Sequence, residues 1–235
     1  MLKIQKKRMI PLVIVIILVL VCAWYLLDYY HATDRAKEYI FNTDNVIVSG
    51  IRHGMEFDGP GDDALIFYPG GKVEYTAYAP LMRDLAEEGI DCYLVKMPVN
   101  LAFLGVEKAD SIIEEFPHEK WYIGGHSLGG VAASMYAADH DLDGLVLLAS
   151  YPTKEIDEPT LEIYGTEDGV LNKSRLEEAD KYLPIDNLEV VINGGNHAQF
   201  GDYGEQAGDG IAAITREEQQ RETIEEIVLF FETGE

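Results

Sequence analysis

The pattern of apolar and polar positions changes character at about residue 27. Before that point about 19 residues, Met9 to Leu27, run without a charge, the length of a helix that crosses a hydrocarbon core about 30 Å thick. Beyond it, short apolar runs alternate with amphipathic ones. Runs at 64–70, 91–97, 121–126, 144–150, 161–166 and 188–194 have strand length and are apolar on both faces. Helical periodicity falls near 75–89, 105–116, 128–139, 174–182 and 215–233. Strand and helix in strict turn predict an α/β fold, a mostly parallel, doubly wound sheet with helices on both faces. Ahead of it, "VIVSGIRHGMEFDGPG" (46–61) alternates and breaks at glycines in the manner of a β-hairpin. Four parts follow: a basic tail (1–8), a transmembrane anchor (9–27), a helical or extended stalk (28–44) and one α/β domain (45–235).

Charge sets the orientation. Lys3, Lys6, Lys7 and Arg8 precede the apolar run and acidic residues follow from Asp28, so the positive-inside bias places the tail in the cytoplasm. A single pass then puts the domain outside the cell membrane. A cleaved signal peptide is the competing reading, but it needs a shorter apolar region ending in small residues. This run ends "CAWYLLDYY", and Trp24, Tyr25, Tyr29 and Tyr30 suit the aromatic belt of an uncleaved anchor. A lipid anchor at Cys22 is disfavoured by Val21, where a small residue is usual. Beyond the anchor 14 basic residues face 42 acidic ones, a net charge of −28. That surface repels phosphate backbones and excludes nucleic acid as a partner. Cys22 and Cys92 are the only cysteines, too few for a disulfide framework. No metal-ligand spacing such as His-Glu-x-x-His occurs, and no metal or cofactor is expected.

The chemistry gathers around "IGGHSLGG" (123–130). Ser127 falls where a predicted strand meets a predicted helix, at the strand end where open parallel sheets bind ligands. A serine on so sharp a turn projects its hydroxyl, and side chains two positions away would collide, which accounts for Gly125 and Gly129. The helix start would aim the Leu128 N–H at negative charge forming near the serine oxygen. A serine hydroxyl needs a base, and the base an orienting group. His140 and His197 are the histidines downstream of Ser127. His140 ends the helix that begins at the serine, roughly 20 Å along its axis, whereas His197 sits in the loop "GGNHAQFG" after a strand. For the acid, "LEIYGTEDGV" offers Asp168, the shorter side chain to turn back over the sheet edge, with Glu167 as runner-up.

Taken together, "FYPGGKVEYTAYAPL", "VKMPVNLAFL", "GGHSLGG", "YGTEDGV" and "GGNHAQFG" resemble the α/β-hydrolase superfamily, in particular the compact fold-5 group of bacterial, often membrane-anchored proteins. The resemblance implies a Ser127, Asp168, His197 triad. It also implies an oxyanion hole made by the Leu128 N–H and a second N–H from the "PGGK" loop, Gly71 or Lys72, with Gly71 matching the superfamily's usual turn. Pro69 stands where that turn usually has histidine.

The expected activity is a serine hydrolase, carboxylesterase-like, that cleaves an ester or related acyl bond through an acyl-enzyme, tethered to the outer face of the membrane. The alternatives are an acyltransferase on the same triad and a catalytically silent binding protein. Its substrate is expected to be a small molecule or an envelope-linked acyl group. The connection "SYPTKEIDEP" is too short for a helical lid, so the site should be open, with walls from Leu101, Phe103, Gln199 and Phe200, and from Leu104 and Tyr203 beside them. An open, partly apolar cleft favours short or exposed acyl groups over long, enclosed lipids.

Overall fold

A computed structural model describes residues 2–185 and 187–234, with side chains from residue 10 onward; the side chains of the basic tail lie outside the described residues. The apolar run is helical, α1 (Leu2–Leu27). Its segment Ile10–Leu27 has a mean hydropathy of 3.0 and none of its residues is buried; it is long and apolar enough to cross a membrane.

The domain is built on one eight-stranded sheet. In chain order its strands are β1 (Ile47–Ile51), β2 (Gly54–Asp58), β3 (Asp63–Tyr68), β4 (Ile90–Val95), β5 (Lys120–His126), β6 (Gly144–Leu148), β7 (Thr160–Gly165) and β8 (Leu188–Ile192). Their order across the sheet is β1-β2-β4-β3-β5-β6-β7-β8. The expected hairpin β1–β2 is antiparallel and pairs antiparallel with β4; the other six strands are parallel. All six therefore end on one edge, which gathers their following loops into one place.

Alternation along β3 explains why helices cover both faces. Leu65 and Phe67 point into one core with Leu81, Met82 and Phe230, supplied by α3 (Ala79–Glu87) and α7 (Arg216–Thr233). Ala64, Ile66 and Tyr68 point the other way, into a core with Ile112, Ala133 and Tyr136 from α4 (Lys108–Glu115) and α5 (Leu128–Ala137). Each fully buried Leu or Phe contributes about 1.5–3 kcal/mol, so the central strands hold the rim rigid. The shorter α6 (Lys173–Ala179) buries Leu176 and Ala179.

The segment after α1 is not a free linker. Tyr30 donates its N–H to Lys72 O at 2.8 Å and accepts from Glu74 N–H at 2.8 Å, a parallel bridge to Val73. A short helix, α2 (Asp34–Glu38), follows, N-capped by Thr33; Ala32 and Ala36 are buried. Arg35 pairs with the buried Asp202, whose Oδ1 also accepts from Thr33 Oγ1 at 2.7 Å. Sequence periodicity alone could not show this docking, because its partners lie 42 residues away or more.

Glu162 is a liability inside this core. It is buried on β7 and its Oε1 has no partner among the described residues. Burial, with Asp180 and Glu189 adding repulsion, raises its carboxyl to about 8 from 4.5. The folded state thus holds a proton that the unfolded chain releases, and stability falls as pH rises from about 4.5 to about 8. Glu162→Gln should melt about 3 °C or more above wild type at pH 9, with the gap closing at pH 5; thermal melts of the full chain in detergent measure it.

Candidate active site

The turn from β5 into α5 holds Ser127 at φ 53°, ψ −121°, a region a non-glycine residue occupies only under constraint. The constraint is visible in its neighbours. Ser127 donates its N–H to Leu148 O at 2.9 Å, and its carbonyl accepts from Ser150 Oγ at 2.8 Å. A Cβ on Gly129 would stand 2.1 Å from Tyr68 O, and one on Gly125 would stand 2.6 Å from the Gly129 carbonyl carbon. Both glycines of the Gly-x-Ser-x-Gly spacing are therefore required by close approach. Ser127 itself is half-buried and reachable.

His197 and Asp168 come together on the same edge. His197 Nδ1–H donates to Asp168 Oδ2 at 2.8 Å, with both side chains almost fully buried. The other oxygen of Asp168 accepts from the Val170 and Leu171 N–H groups at 2.9 and 2.7 Å, which locks the carboxylate toward the imidazole. Glu167 is exposed, and among the described residues its side chain accepts from Thr166 Oγ1 alone. His140 lies at the far end of α5, stacked on Tyr136 with Nδ1–H donating to Tyr136 O. His197 Nε2 is buried and has no hydrogen-bond partner among the described residues, so the Ser127 hydroxyl is not bonded to it here. The His197 ring centroid is 4.5 Å from that of His126, the residue before Ser127.

The glycine loop after β3 lies against the start of α5. A Cβ on Gly71 would come within 2.7 Å of the Leu128 side chain, so the "PGGK" loop abuts the start of α5. The N–H groups of Gly71 and Leu128 are without partners among the described residues, whereas Lys72 N–H donates to Asn100 O at 2.8 Å. That leaves Gly71 rather than Lys72 as the loop's free donor.

Several supports escape sequence reasoning. Tyr78 Oη accepts from Gly70 N–H at 3.1 Å and lies 2.7 Å from His126 Nδ1, tying the glycine loop to the residue before Ser127. Burial, and then His197 nearby, push His126 well below the usual histidine range, so it stays neutral. Asp209 accepts from the N–H groups of Gly169, His197, Ala198 and Gly210 and so joins the acid loop to the histidine loop. From α7, Gln219 Oε1 accepts from Asn196 N–H and its Nε2 donates to Asn196 O. His126 stands inside the glycine-rich serine motif, but a search for the base downstream of the serine passes over it. Nothing marks Asp209 among 42 acidic residues.

The expected substrate walls do not converge. Phe200 is fully buried, its ring 5.7 Å from that of His126, and it supports the histidines from the core instead of lining a cleft. A tight turn after His197 (Ala198–Phe200) rotates it inward, which loop composition does not reveal. Tyr203 is likewise buried. Gln199 lines a cavity of about 430 Å³ behind the histidine loop, and its Nε2 donates to Ile214 O. Phe103 and Leu104 line another, of about 670 Å³, beside His53 and Lys108. Leu101 is half-buried. No helix or strand interrupts residues 149–159 between β6 and β7.

Residues 64–221 match the model of the alpha/beta hydrolase family. No curated protein sequence matches the chain. Among solved structures, a predicted CIB-like hydrolase from Thermoplasma acidophilum is 13% identical with a TM-score of 0.61, over 78% of this chain and 99% of that one. A putative lipase from Acinetobacter baumannii is 14% identical with a TM-score of 0.59, over 86% and 95%. A membrane phospholipase A described as a bacterial virulence factor is 13% identical with a TM-score of 0.57, over 95% and 99%. At these identities the likeness is one of fold.

Asp209→Ala releases four N–H groups at once and should lower stability by about 2–3 kcal/mol, read by denaturant unfolding of the full chain in detergent. Any hydrolase turnover should fall with it, because the histidine loop loses its clamp.

Proposed function

Because the chain belongs to the alpha/beta hydrolase family, we propose that it is a serine esterase whose triad is Ser127, His197 and Asp168. The buried, doubly clamped Asp168–His197 pair beside the strained serine turn carries this reading. With Nδ1–H committed to the carboxylate, the imidazole keeps its basic lone pair on Nε2, the atom a serine proton must reach. A rotation of the serine side chain and the approach of an ester would tighten that contact, as catalytic hydrogen bonds often do on substrate binding.

Ser127 Oγ attacks the ester carbonyl carbon while His197 takes its proton. The anionic oxygen is met by the Gly71 and Leu128 N–H groups, in a position favoured by the start of α5. Collapse breaks the carbon–oxygen bond to the leaving alcohol, which receives the proton from His197. Water then repeats the sequence on the acyl-enzyme and releases a carboxylic acid. Asp168 stabilises the imidazolium at both stages and holds its tautomer. The apolar helix α1 and the positive-inside bias of its flanks support a single-pass anchor with this domain on the outer side.

A fluorophosphonate should label wild type but not Ser127→Ala. His197→Ala and Asp168→Asn should each lower kcat for a short-chain p-nitrophenyl ester on the order of 10³-fold or more. Equal labelling of wild type and Ser127→Ala would sink the esterase reading and leave a binding protein; transfer of the acyl group to added alcohols in preference to water would make it an acyltransferase.

A further inference from the structure

The route from the apolar helix to the serine is short and consists of direct contacts. Lys72 Nζ stands 4.3 Å from the centroid of the Tyr25 ring, inside the last turn of α1, and 3.1 Å from Asp28 Oδ2. From Leu27, three residues of chain reach the Tyr30 bridge at Val73, at most about 11 Å when extended. Lys72 follows Gly71, and Gly71 touches Leu128, the residue after Ser127. The same segment, running on, binds the loop after His197: Thr33 N–H donates to Asp202 O at 2.9 Å and Ala207 N–H to Tyr30 Oη at 3.2 Å. Both loops that flank the site are thus fastened to the first residues beyond the helix.

A second observation points the same way. Asn100, whose carbonyl accepts from Lys72 N–H, follows Val99, an apolar side chain that is 45% exposed. Val99 has φ 46°, an outlier for a β-branched residue, so the backbone is held in a conformation that presents an apolar side chain to the outside. Trp24 and Tyr25, half-exposed or more on the last turn of α1, mark the level at which such residues would meet an interface.

We propose that the docked segment 28–36 fixes the mouth of the active site against the outer face of the bilayer, and that the substrate is an acyl ester of a glycerolipid in that leaflet. The inference rests on the serine-esterase reading. Ser127 attacks the lipid ester carbonyl, the bond to the glycerol oxygen breaks, His197 delivers the proton to that oxygen, and water releases the fatty acid, leaving a lysolipid. With no helix or strand inserted between β6 and β7 to cover the site, a substrate embedded in the leaflet is suited to it, because the acyl chain need leave the bilayer only as far as its ester and the membrane covers the rest. Short acyl preference, expected for an open cleft in solution, does not follow for a site held at the interface.

The test inserts a flexible Gly/Ser linker of 20 residues between Leu27 and Asp28. The docked segment stays intact while the domain is freed from the helix. Both proteins are reconstituted as full chains into vesicles of phosphatidylethanolamine and phosphatidylglycerol, and released fatty acid is measured beside hydrolysis of soluble p-nitrophenyl butyrate. The expected result is equal butyrate turnover and a fall of about tenfold or more in lipid hydrolysis in the linker variant, since the site's effective concentration at the leaflet drops. Butyrate turnover without lipid hydrolysis by wild type, or equal lipid hydrolysis by the two, overturns the proposal and leaves the esterase reading intact. Absence of both turnovers together with absence of fluorophosphonate labelling overturns the esterase reading itself.

Discussion

Everything at the site depends on one backbone constraint, the left-handed turn that carries Ser127 from β5 into α5. A residue held there costs on the order of 1–3 kcal/mol, and it persists only because its surroundings admit nothing else. Leu148 and Ser150 from the neighbouring strand and loop grip its backbone, while the glycines at 125 and 129 let helix and strand approach within contact of main chain. The same turn sets the start of α5, and with it the direction of the Leu128 N–H. The proposed nucleophile and the proposed oxyanion donor are two consequences of a single dihedral pair, so neither can be moved without the other.

The parallel sheet supplies what that turn cannot. Six parallel strands end together, so loops far apart in sequence share one edge. Asp168 follows β7 and His197 follows β8, adjacent strands. Their union needs only short loops, and these are cross-linked by Asp209 and by Gln219 of α7. The histidine is thus positioned from the sheet below and the last helix behind.

This division explains what can be read from the chain. The alternation of apolar runs fixes strands and helices because it reflects burial on both faces of the sheet, and each of the six later strand candidates has a counterpart among β3–β8. The serine and histidine stand out because glycines mark the tight turns around them. Asp168 and Glu167 look alike in sequence; the one that reaches His197 is Asp168, whose other oxygen accepts from two backbone N–H groups. Phe200 and Tyr203 mislead because an apolar side chain in a loop looks alike in sequence whether it faces ligand or core. The docking of residues 28–36 is invisible for a different reason: its partners, Val73, Glu74 and Asp202, are distant in sequence and ordinary in kind.

That docking also bears on the charge. A domain carrying −28 beyond the helix is repelled by an anionic leaflet, although with a Debye length of about 8 Å at physiological salt the force is short-ranged. In the proposed arrangement the rim nearest the helix must therefore be held by something other than net attraction. The contacts found there meet that need: backbone hydrogen bonds of Tyr30 to Lys72 and Glu74, a buried carboxylate at Asp202 gripping Arg35 and Thr33, and Lys72 neutralised by Asp28 beside the Tyr25 ring. These are short-range and directional, and little weakened by salt where they are buried. A mechanical latch of this kind lets the rest of the surface stay strongly acidic, which keeps the domain soluble and separate from its neighbours, while the one edge that bears the serine remains fixed where the helix ends.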